Sequence, residues 1–123
     1  MAQMTEFQRS AQVWSVLVMA AKAQHVVSYD ALAKMTGVAR FGFAAILGNI
    51  YHYCEQKGLP PLTSIVVNEK SGKPAAEVFE NVDVPSSHAR VFVFEWLSRD
   101  VPSVQDFEQA RIVATTVKAA GAA

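Results

Sequence analysis

The 123-residue chain is 51% apolar and 18% charged, which suits one folded domain and excludes a disordered polyelectrolyte. Its 11 basic and 11 acidic residues cancel, which counts against a binder that relies on bulk positive charge to hold nucleic acid. The one cysteine, Cys54, excludes an internal disulfide and fits a reducing compartment, so a cytoplasmic protein is expected.

The first residues, Met1 to Phe7, lack a basic region before an apolar run, so no signal peptide is expected. Val16 to Ala21 is too short to cross a bilayer, and no membrane association is expected. Thr5 can cap a first helix over 5–23, with Glu6 in its first turn to complement the dipole. Phe7, Ala11, Trp14, Val18 and Ala21 recur at helical spacing along it. A short extended piece, His25-Val26-Val27, precedes Ser28, which offers a cap for a second helix over 29–36 that Gly37 ends. A third helix over 41–57 carries Phe43, Ile46, Leu47, Ile50 and Cys54 on one stripe, which should be core. Gly58 and Pro60-Pro61 stop it.

The period then changes. Ser64 to Asn68 is a β-branched run and predicts a strand over 64–68, followed by a tight polar turn over 69–74 and a loop over 75–85. Ser86 or Ser87 can cap a helix from His88 to Ser98, although Val91-Phe92-Val93-Phe94 also suits a strand. Ser103 caps a last helix over 104–118, with fraying expected over 119–123. No repeat or linker divides the chain, so residues 1–123 read as one domain. The predicted class is mostly α (α+β): a winged helix-turn-helix with a short β wing and additional C-terminal helices.

Residues 27–74 carry a family pattern. Ser28-Tyr29-Asp30-Ala31-Leu32-Ala33, Gly37, Ala39-Arg40, Ala45-Ile46-Leu47-Gly48-Asn49, Pro61, Ile65-Val66-Val67 and Gly72 resemble the winged-helix domain of alkylguanine-DNA alkyltransferases and alkyltransferase-like proteins. The resemblance implies that the third helix enters the minor groove, with small residues (Gly42, Ala44, Ala45, Gly48) allowing close approach. It also implies a finger that fills the gap left by a flipped base, at Arg40 or Phe41. Where the family has a Pro-Cys-His-Arg run before Val-Val, this chain has Leu62-Thr63-Ser64-Ile65. The alkyl-accepting thiol and its histidine are gone, so a non-enzymatic protein is expected.

The remaining candidates for DNA contact come from the residues themselves. Asn49, His52 and Gln56 recur at helical spacing opposite Ile46, Ile50 and Cys54, where amides could read base edges; a plain solvated face is the alternative. Lys70 and Lys73 flank the turn and suit phosphate contact, with Glu69 beside them weakening the local charge. Residues 1–60 hold five basic against three acidic residues, the rest six against eight, which places any nucleic-acid surface in the first half. His25, His52 and His88 lack metal-ligand spacing, and Ser71-Gly72-Lys73 lacks the flanks of a phosphate loop, so no metal or cofactor is expected. Phe92, Phe94 and Trp96 would lie all round a helix and must be covered by the core, a second copy or a protein partner. Two functions follow: a DNA-binding regulator or lesion sensor, and alternatively a small protein-binding module of phage or bacterial type.

Overall fold

The structure, a computed structural model, describes residues 4–75, 79 and 82–121. Its described elements are α1 (Glu6–Lys22), β1 (Val27–Ser28), α2 (Tyr29–Thr36), a 3-10 turn (Arg40–Gly42), α3 (Phe43–Gln56), a 3-10 turn (Leu62–Ile65), β2 (Val66–Val67), α4 (Val84–Val93), a 3-10 turn (Trp96–Ser98) and α5 (Val104–Gly121). The fold is mostly helical.

Local chemistry explains where the helices begin. Thr5 and Gln8 cap α1 reciprocally: Gln8 N–H donates to Thr5 Oγ1 at 3.1 Å, and Thr5 N–H to Gln8 Oε1 at 2.8 Å. Ser28 Oγ accepts Ala31 N–H at 3.0 Å to start α2, and Gly37, at φ +76°, closes it in a left-handed conformation that favours glycine. Ser103 and Asp106 cap α5 in the same reciprocal way, at 3.1 and 2.8 Å.

Helices α1, α3 and α5 pack together, burying Val13, Trp14, Leu17, Phe43, Ile46, Leu47, Ile50, Cys54 and Phe107. The stripe predicted on α3 is therefore the core stripe. Trp14 is the hub, edge-on to Tyr53 and Trp96, each with ring centroids 5.6 Å away. The aromatic segment after α4 is largely covered from within. Trp96 is buried and donates its indole N–H to the Val91 carbonyl at 2.8 Å, and Phe94 packs on its ring.

The predicted strand over 64–68 shrinks to Val66–Val67. Its parallel partner β1 offers only Val27 and Ser28, and Pro61 leads into a 3-10 turn closed by Ser64 N–H on the Pro61 carbonyl. The helix expected over 88–98 starts at Val84, with Pro85 in its first turn, and ends at Val93, beyond which Phe94 is extended. Of the loop expected over 75–85, residues 76–78 and 80–81 lie outside the described residues. Likewise α5 continues through Gly121, and 122–123 lie outside. Among the described residues, no single helix is long and apolar enough to cross a membrane.

Leu47 is 7% exposed and borders an open cleft. Leu47→Ala should therefore cost about 2–3 kcal/mol, the low end for a core leucine, read as a lowered thermal midpoint.

Candidate functional site

Helix α3 has a polar side that turns inward and a small-residue side that stays open. Asn49 is fully buried: its Nδ2 donates to Glu6 Oε2 at 2.9 Å and to Ser10 Oγ at 3.1 Å, and its Oδ1 accepts from Arg111 Nε at 3.2 Å. Arg111 also pairs with Glu6 and lies over the Phe7 ring, while Ser10 donates to the Ile46 carbonyl at 2.9 Å. Gln56 reaches the same partner helix, donating from Nε2 to the Ala110 carbonyl at 2.9 Å. The placement of Asn49 on a free outer face is thus corrected, because α1 and α5 cover it, whereas Gln56 stays exposed while making that one bond. His52 is half-buried and edge-on to Tyr51, with centroids 5.6 Å apart.

The open side begins with Phe41, 90% exposed, and continues through Ala44 and Gly48, one turn apart, with half-buried Ala45 beside them. A Cβ placed on Gly48 would meet nothing within 4 Å. Backbone can therefore be approached closely along this face.

Arg40 stands at its head, already engaged. Its Nη1 lies 3.1 and 3.0 Å from the two carboxylate oxygens of Glu69, and its guanidinium sits over the Tyr29 ring, 5.1 Å from the centroid. Glu69 Oε1 also accepts Asp30 N–H at 2.7 Å, at the start of α2. The carboxylate is held below its ordinary range by its own backbone N–H, then by the Asp30 N–H and Arg40, against the opposing effect of desolvation. The following turn is tight. Asn68 N–H donates to the Lys73 carbonyl and Gly72 N–H to the Asn68 carbonyl, both at 2.8 Å, with Gly72 at φ +69°. Lys70 and Lys73 are exposed on it and form no ion pair among the described residues.

Between α2, α3 and the 62–65 turn lies a cleft of about 400 Å³, edged by Arg40 and Phe41 and walled by Tyr29, Phe43, Tyr51 and Phe79. The size falls within the range of small-molecule sites. Thr63 lines it and is buried, and its Oγ1 has no hydrogen-bond partner among the described residues. Such a group costs free energy unless something fills its bonding capacity. Ser64 Oγ beside it is also buried and unpartnered among those residues, and His88 Nε2 lies 2.7 Å from the Ser64 carbonyl, which requires that nitrogen to carry the proton.

Sequence reasoning singled out Arg40, Phe41 and Ala44, which line the same cleft. It missed the pairing of Arg40 with Glu69 and the aromatic walls. The only signal for the first was an acidic residue inside an otherwise basic turn. Cys54 does not face the cleft. Burial pushes its thiol up to about 12, against smaller opposing effects of the Leu62 backbone and Arg99. No metal-binding cluster of histidine, cysteine or carboxylate occurs among the described residues.

Asn49→Ala should lower stability by roughly 1–3 kcal/mol, because it removes a buried amide's hydrogen bonds to Glu6, Ser10 and Arg111. A base-reading asparagine would instead lose affinity with no change in thermal midpoint. For Cys54, the native protein should resist a thiol reagent at pH 8 and react once denatured. Its contribution to stability should also fall as pH rises from the ordinary thiol range toward 12, since only the unfolded chain ionises there. A thiol titration before and after denaturant, with melts across that range, checks both.

Comparison with protein-family models, with curated proteins and with solved structures finds no match to this chain.

Proposed function

We propose that the chain is a non-enzymatic DNA-binding protein of winged helix-turn-helix organisation. It lays the open side of α3 on duplex DNA and accepts an unstacked base in the adjoining cleft. One observation carries this reading: the open strip of exposed Phe41 and Ala44 and half-buried Gly48 runs beside an aromatic-walled cleft where a buried hydroxyl, Thr63 Oγ1, has no partner among the described residues. Small side chains permit groove contact, a wedge such as Phe41 can part a base step, and aromatic walls hold a flipped base by stacking. Lys70 and Lys73, on the turn, supply phosphate contacts. The tight turn over 68–73 stands in the wing's place in this reading.

Alkyl transfer has no support. The positions that would hold the family's cysteine and histidine are Thr63 and Ser64, and Cys54 is a buried, protonated thiol. A benzylguanine substrate should leave the protein's mass unchanged.

The alternative, a protein-binding module, is favoured by a different patch. Val93, Leu97, Val101 and Met19 are exposed at 75%, 59%, 69% and 60%; Leu97, Val101 and Met19 border a shallow cleft of about 220 Å³ edged by Trp14 and Trp96. Here the outward residues are Val93 and Leu97 rather than the Phe92, Phe94 and Trp96 expected to make the contact.

A duplex titration at low salt and at ~0.2 M salt divides the two readings, since phosphate contact weakens as salt rises. Gly48→Glu should keep or raise the melting temperature, because glycine is a poor helix former, yet lose at least roughly tenfold in DNA affinity by placing a carboxylate on the open face. Binding unaffected by that charge would move the contact elsewhere. No binding by the parent at low salt would leave the protein-binding reading.

A further inference from the structure

The guanidinium of Arg40 is only partly used at the mouth of the aromatic cleft. Both Glu69 oxygens approach one nitrogen, Nη1, at 3.1 and 3.0 Å, and Nε and Nη2 have no partner among the described residues. The Tyr29 ring lies under the group, its centroid 5.1 Å away. Glu69 and Tyr29 thus steady the guanidinium, while its side chain stays 52% exposed and within reach of a ligand. The unused Nε and Nη2 form the fork that takes an oxyanion by two parallel hydrogen bonds. The chain is neutral as a whole, but this corner is not. Arg40, Lys70 and Lys73 stand against Glu69, three charges to one, because nearby Asp30 is paired with Lys34 at 3.2 Å. Lys70 follows Glu69 directly, and the Lys73 carbonyl closes the same turn on Asn68 N–H. A surplus confined to so short a turn still acts on its neighbours in physiological salt.

Behind this mouth the chemistry changes. Phe43, Tyr51 and Phe79 wall the cleft of about 400 Å³, and aromatic walls hold the flat face of any base by stacking. The volume lies in the range of sites that enclose a whole small molecule, which leaves room for a sugar between ring and oxyanion. We propose that the cleft and Arg40 together form a site for a nucleoside monophosphate, its base between the aromatic walls and its phosphate on the free Nε and Nη2 of Arg40. The unit recognised is then ring and oxyanion together, whether it arrives as a free nucleotide or as an unstacked nucleotide of a strand. This goes beyond the DNA-binding reading, because the free molecule needs no duplex. Glu69 leaves the fork available, and its charge opposes the phosphate.

The test titrates the full chain by calorimetry with deoxyadenosine monophosphate, deoxyadenosine and inorganic phosphate, without DNA. The monophosphate should bind at least roughly tenfold more tightly than either part, the size of one charge-assisted hydrogen bond. Backbone amide shifts on adding it should centre on Ala44 and Thr63, which line the cleft. Arg40→Gln should bring the monophosphate down to the level of the nucleoside and leave the nucleoside's affinity unchanged. Glu69→Gln keeps an acceptor for Arg40 and removes the like charge, so it should strengthen the monophosphate and not the nucleoside. Melting temperatures within error of the parent confirm that both variants fold. Equal binding of monophosphate and nucleoside by the parent overturns the inference, as does a difference that survives in Arg40→Gln. So does no binding of the monophosphate at millimolar concentration. A duplex with a single unpaired nucleotide separates the two sources. If it displaces the monophosphate, the same unit is drawn from DNA, and both readings stand. If it does not, the site serves free nucleotide alone; the base-accepting reading then falls while this inference stands.

Discussion

Asn49 is the point on which the arrangement of the three large helices turns. It is fully buried in α3, and its amide is matched by Glu6 and Ser10 from α1 and by Arg111 from α5. An amide placed there without those partners would oppose folding, so the three helices pack favourably only in the rotation that satisfies it. Ser10 adds a second constraint through the Ile46 carbonyl, pinning the same turn of α3 to α1. The apolar stripe supplies attraction but little angular precision, since hydrophobic contact is non-directional. The hydrogen-bonded knot supplies the angle.

Fixing that rotation decides what α3 presents to solvent. With Asn49 and Gln56 turned toward α1 and α5, the outward strip is left to Phe41, Ala44 and Gly48. A helix that hides Asn49, engages Gln56 on the Ala110 carbonyl and shows alanine and glycine is poorly suited to hydrogen-bond readout of base edges. It is better suited to close approach, where shape decides. The two-residue parallel pairing of β1 and β2 then sets the other boundary. It ties the start of α2 to the end of the 62–65 turn, so that Tyr29 and Thr63 line the same cleft.

Much of this was legible in the sequence, and the reasons are local. Thr5, Ser28 and Gly37 are terminal signals that act within three or four residues, so the bounds of α1 and α2 follow closely. The Phe43–Cys54 stripe was legible because helical periodicity needs no knowledge of the partner. Asn49 was not, because a polar residue beside a core stripe looks the same whether it meets water or a neighbouring helix. Arg111, which settles the matter, is 62 residues away. Ser64 and Ile65 were read as strand because β-branched neighbours follow them; Pro61 and the shortness of β1 prevail over that preference. The cleft was illegible for a simpler reason. Its walls come from residues 29 to 79, and no local pattern records that Tyr29, Tyr51 and Phe79 converge.

The zero net charge has a structural counterpart that bears on any partner. Arg9 donates to the Thr36 carbonyl at 2.8 Å, Lys22 pairs with Glu95, Lys34 with Asp30, Arg40 with Glu69, and Arg111 with Glu6. Most cations of the first half, where the positive surplus lies, are thus engaged within the fold. The ones on the turn, Lys70 and Lys73, are few. Affinity for DNA through counterion release scales with the number of phosphates neutralised, so this surface would gain little from a regular backbone. A DNA-binding role would then have to draw its free energy from stacking and shape, terms that depend on how easily the duplex deforms rather than on how much of it is present. Neutrality, which in a groove reader would be a handicap, becomes in that case the means of ignoring undamaged duplex.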